Sequence, residues 1–100
     1  MTLLHITLED GFSGHTVAID ADTRRVYNQQ GVATDLRISR ADAVDVDVPG
    51  THVHVKVSVE PGNLQAAMDV DARATPYLCV GLDESGAIQL SPSAQMPRFM

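Results

Sequence analysis

The sequence predicts an all-β protein: a small antiparallel β-sandwich of about eight strands, with the two-layer architecture of immunoglobulin-like domains. Three observations lead there. Apolar and polar residues alternate with period two through nearly the whole chain, the pattern of strands with one buried face. The alternating segments recur at intervals of roughly ten residues, and Gly, Pro and Asp separate them. The two stretches with helical character, 39–43 and 64–68, are too short to stand against the strands around them. The chain has one cysteine and no tryptophan, so the Cys, Trp and Cys landmarks of true immunoglobulin domains are missing. The likeness is one of layers and not of kinship.

The elements follow in order. Leu4, Ile6 and Leu8 alternate with His5 and Thr7, and the run Glu9-Asp10-Gly11-Phe12-Ser13-Gly14 supplies turn chemistry before Val17, Ile19 and Ala21 alternate again. Asp22-Thr23-Arg24 reads as a turn into a short strand at Val26-Tyr27-Asn28, and Gly31 separates it from a further short strand over 34–38. Val44, Val46 and Val48 alternate with Asp45 and Asp47. After Pro49-Gly50, Val53, Val55, Val57 and Val59 alternate with His52, His54, Lys56 and Ser58. Beyond Pro61-Gly62-Asn63 the pattern resumes over 64–70, and a last pair of strands runs over 77–82 and 87–90 around Glu84-Ser85-Gly86. One domain over 1–90 and an extended C-terminal tail over 91–100 are expected.

Length and composition agree with a packed domain. A 100-residue chain with 44% hydrophobic and 20% charged residues can bury a core without cross-links. Thirteen acids against seven bases give a net charge of −6, which lacks the basic stripe that phosphate neutralisation requires and is repelled by anionic lipid surfaces. Nucleic acid and membrane are therefore not expected partners. The start, Met1-Thr2-Leu3-Leu4-His5, has neither a basic leader nor a long apolar run. The single Cys79 can form no internal disulfide, which suits a reducing compartment, and a cytoplasmic location is expected.

Motifs that carry chemistry are absent in specific form. Gly11-Phe12-Ser13-Gly14 has the wrong spacing for a nucleophile elbow and lies between strands. Cys79, among Leu78, Val80 and Leu82, reads as a packed and inert thiol. No Gly-x-Gly-x-x-Gly or phosphate-binding loop is present, so no cofactor is expected. The pairs Asp20/Asp22, Asp45/Asp47 and Asp69/Asp71 lack the loop that cages calcium and fit the solvated faces of strands, although Asp20/Asp22 leads into a turn where ligands can converge. For a sugar site, flat aromatic surface is needed. Phe12 is the ring best placed to be exposed, and is the candidate ligand-binding residue, unless it folds back over the end of the sandwich.

The sharpest inference concerns the valine-rich pair of strands. If Pro49 and Gly50 occupy the centre of a type II turn, Val46 meets Val53 and Val44 meets Val55 on one face, while Asp47 meets His52 and Asp45 meets His54 on the other. The four polar residues Asp45, Asp47, His52 and His54 are then cross-strand ion pairs or the start of a divalent-metal site, because His-x-His on a strand points both imidazoles one way. The expected function is non-catalytic: a module for protein interaction or self-assembly, homo-oligomeric, working through a sheet face, an edge strand or the tail residues Met96, Phe99 and Met100. The rival reading is a ligand-binding module for carbohydrate, through Phe12, or for a divalent metal, through the Asp/His face. A weaker third is a small hydrolase or isomerase using His or Asp.

Overall fold

Eight strands form among the residues that the computed structural model describes, which are 2–9, 11–34, 41–60, 62–83 and 85–95. They are β1 (Thr2–Leu8), β2 (Ser13–Ala21), β3 (Arg24–Ala33), β4 (Asp42–Val48), β5 (His52–Glu60), β6 (Leu64–Asp71), β7 (Tyr77–Leu82) and β8 (Ile88–Ser93). The described residues contain no helix, and therefore none long and apolar enough to cross a membrane. Two four-stranded sheets pack face to face, ordered β4-β1-β7-β8 and β3-β2-β5-β6. Every ladder is antiparallel except β1 with β7, which is parallel from His5/Tyr77 to Leu8/Val80. This is a sandwich, with a strand order unlike that of immunoglobulins, where the first, second, fourth and fifth strands share a sheet.

The alternation sorts side chains between core and surface as strand geometry demands. Leu4, Ile6 and Leu8 of β1, Val17 and Ile19 of β2, Val55, Val57 and Val59 of β5, and Leu78 and Val80 of β7 are completely buried between the layers. Burying each such side chain contributes about 1.5–3 kcal/mol, which is how a chain without a disulfide holds together. At the end of the core Gly11 sits at φ +93°, and a Cβ there would lie 2.7 Å from that of Leu82. Only glycine lets the β1–β2 connection pass so close to β7.

The boundaries differ from expectation in three places. β3 runs for ten residues, where Val26–Asn28 alone was expected. β8 continues to Ser93, three residues into the stretch read as tail. The strand expected over 34–38 lies, apart from Thr34, outside the described residues, as do Met96, Phe99 and Met100.

The expected β4–β5 hairpin is corrected by the register. β4 pairs with β1, from Thr2/Val48 to Leu8/Asp42, whereas β5 lies in the other sheet between β2 and β6. At Pro49-Gly50 the chain turns a corner from one layer to the other. The inward-facing valines are satisfied by either arrangement, since period two fixes which face is buried and leaves the neighbour open. The corner makes β5, with the longest unbroken alternation, a central strand flanked on both sides, and its four valines are 0–3% exposed.

The two open sides of the sandwich close differently. Where β3 faces β4, Tyr27 Oη donates to Asp42 Oδ2 at 2.7 Å and Arg24 Nη2 donates to the Asp47 carbonyl at 3.0 Å. Where β6 faces β8, the contact is apolar: Leu64 and Met68 of β6 and Ile88 and Leu90 of β8 pack on the core but stay partly exposed.

Candidate functional site

The four residues expected to form one Asp/His face are divided between two faces. On the outer face of the β3-β2-β5-β6 sheet, His52 and His54 of β5 stand opposite Asp71 and Asp69 of β6. His54 Nδ1 lies 2.8 Å from Asp69 Oδ1, and His52 Nε2 lies 3.7 Å from Asp71 Oδ2. On the outer face of the other sheet, Asp45 of β4 stands opposite His5 of β1, with Oδ1 and Nδ1 2.6 Å apart. Asp45 and Asp47 are thus not partners of His54 and His52, because β4 and β5 share no ladder. The ion-pair chemistry persists with different neighbours. No three His, Cys, Asp or Glu side chains among the described residues are placed to hold a metal ion.

His5 and Tyr77 are the residues that sequence reasoning missed. They are register partners on β1 and β7, and their rings stack with centroids 5.2 Å apart and planes 20° apart. A row of side chains, Asp45, His5 and Tyr77, therefore crosses three strands. The available signal was that all three sit at outward positions of their own strands. Which strands adjoin was not readable from it.

Around His54 the backbone is held from a second side. Asp22, at φ 56° in the two-residue turn between β2 and β3, accepts from the His54 N–H at 3.0 Å and donates its own N–H to the His54 carbonyl at 2.7 Å. Asp20 instead accepts from Arg25 Nε at 2.9 Å, and that guanidinium holds its carboxyl below the usual range. The Asp20/Asp22 pair consequently diverges, one carboxylate to β3 and one to β5, and does not form a convergent cation site. Asp71 caps the turn after β6, accepting from the N–H groups of Arg73 at 3.0 Å and Ala74 at 3.3 Å. Asp22, His52, His54 and Asp69 line a shallow recess at this end of the sheet, floored by Val53.

The Phe12 expectation is corrected in favour of its alternative. Phe12 is 4% exposed and belongs to the core cluster, folded over the end of the sandwich. Thr34 fixes it there: the Phe12 N–H donates to Thr34 Oγ1 at 3.1 Å, the Thr34 N–H donates to the Phe12 carbonyl at 2.8 Å, and Thr34 Oγ1 donates to the Glu9 carbonyl. A buried ring offers no stacking surface to a sugar.

Cys79 faces outward beside Glu9, and burial pushes its thiol up to about 11, with the Glu9 carboxylate adding to the rise. A thiol held protonated is a poor nucleophile. The recess it lines contains Glu9, Gln89 and Asp83. Asp83 accepts from the Ser85 hydroxyl at 2.6 Å, the N–H groups of Ser85 and Ala87 at 2.9 Å each, and Gln89 Nε2 at 2.9 Å, which together hold its carboxyl at about 2. Its hydrogen-bonding capacity is spent on the β7–β8 turn. Comparison with protein-family models, curated proteins and solved structures finds no match for this chain.

Proposed function

We propose that the domain is a non-catalytic protein-interaction module that assembles with copies of itself. One observation carries this reading: on the side where β6 faces β8, Leu64, Met68, Ile88 and Leu90 lie partly exposed at the edges of both sheets, and beside them neither strand pairs with a further strand among the described residues. Apolar side chains next to an open edge favour addition of another strand, since main-chain hydrogen bonds and apolar burial are gained together. The high thiol pKa of Cys79, and the diversion of Asp20, Asp22 and Asp83 into local hydrogen bonds, leave no poised acid, base or nucleophile among these groups. With its single cysteine unpaired, the module suits a reducing compartment such as the cytoplasm.

Light scattering across a concentration series tests the reading. Assembly predicts a mass above the 10.7 kDa of one chain, rising with concentration and retained when residues 96–100 are deleted. A constant single-chain mass at the highest concentration overturns it.

A further inference from the structure

We infer that the β6 edge is where a second copy docks, pairing antiparallel with its own β6 about a two-fold axis at Ala67 and fusing two four-stranded sheets into one of eight. This rests on the interaction reading and names its surface and occupant.

The choice among the four edge strands follows from what each presents. β4 carries Asp42, Asp45 and Asp47 within seven residues, and charge of one sign repels a second copy. β8 contains Pro92, which has no N–H to donate. β3 meets β2 with three register shifts, and such bulges bend an edge away from a straight partner. β6 has no proline and no register shift, and its two acids, Asp69 and Asp71, sit together at its C-terminal end and leave the rest of the strand uncharged. It pairs with β5 through eight consecutive residues without a shift, from Leu64/Val59 to Asp71/His52, and the run Leu64-Gln65-Ala66-Ala67-Met68 is uncharged and free of glycine and proline.

Self-complementarity then fixes the occupant. In an antiparallel two-fold pair centred on Ala67, that residue meets its own copy on the outer face and Asp69 meets Gln65. On the inner face Met68 meets Ala66 and Val70 meets Leu64. No like charges oppose, a long side chain lies beside a short one, and the partly exposed Leu64 and Met68 gain cover from the second copy. The outward-facing ion pair of His54 with Asp69 stays intact, because it lies on the β5 side of the edge.

The experiment compares the wild type with two variants by light scattering, each first shown to keep the β-type circular dichroism spectrum. Ala67 is exposed, so Ala67→Lys leaves the monomer's core untouched while setting two ammonium groups face to face at the axis. The wild type is expected at the mass of two chains, and Ala67→Lys to dissociate with an affinity about tenfold or more weaker. In a Cys79→Ser background, Ala67→Cys is expected to form a covalent dimer on mild oxidation, since directly opposed Cα atoms about 4.5–5.5 Å apart suit a disulfide. Asp71→Cys, far from the axis, is expected not to. A dimer that survives Ala67→Lys and fails to cross-link at position 67 overturns this surface while leaving self-assembly in place. A wild type that stays at one chain's mass overturns both.

Discussion

The phenol of Tyr27 on β3 donates to the Asp42 carboxylate on β4, a 2.7 Å bond between residues of different sheets. Burial raises the Tyr27 pKa above its ordinary 10.0, and the bond to Asp42 with its negative charge raises it further. The protonated phenol is the form that the folded state holds. Its contribution to stability is therefore full below the unfolded pKa of about 10 and is lost as pH rises through the higher folded value. Tyr27→Phe is expected to cost about 1 kcal/mol at pH 8, with the difference from wild type narrowing by pH 11. Urea unfolding at the two pH values measures it, and a difference that widens instead contradicts the assignment.

Phe12 is expected to behave as a core residue. Phe12→Ala removes a buried ring from the end of the sandwich and is expected to cost about 3–5 kcal/mol. Leu3→Ala changes an apolar residue that is 42% exposed, and is expected to stay within about 0.5 kcal/mol. Urea midpoints of the two variants decide the matter. A Phe12→Ala variant as stable as wild type would return this ring to the surface.

His54 is expected to couple to Asp69 and not to Asp45. The first pair is 2.8 Å apart but well exposed, so a double-mutant cycle in mildly acid solution is expected to give a few tenths of a kcal/mol. The cycle for His54 and Asp45 is expected to give no coupling, because these residues lie in different sheets. Measurable coupling in the second cycle, and none in the first, would restore the β4–β5 hairpin.

Much of the fold was legible because strand geometry is local. Val53, Val55, Val57 and Val59 declare their own face whatever lies next to them, and so do Leu4, Ile6 and Leu8. The chemistry of the Asp/His face was legible in kind for the same reason: outward-facing His on β5 meets outward-facing Asp on β6. The short strand at Val26–Asn28 was underestimated because most of β3 is an exposed edge, where Gln29, Gln30 and Gly31 need not alternate with apolar residues.

What the sequence determined by itself, then, is which side chains point into the sandwich and where the chain turns, since both follow from residues within a few positions of each other. Only the tertiary structure decided which strands are neighbours. At Pro49-Gly50 a hairpin and a corner between layers bury the same valines, so alternation cannot separate them; the choice depends on β1 and β2, distant in sequence, which take the places beside β4 and β5. That choice also turned Asp45 towards His5 and His54 towards Asp69, and placed β6 at an edge of its sheet among the described residues.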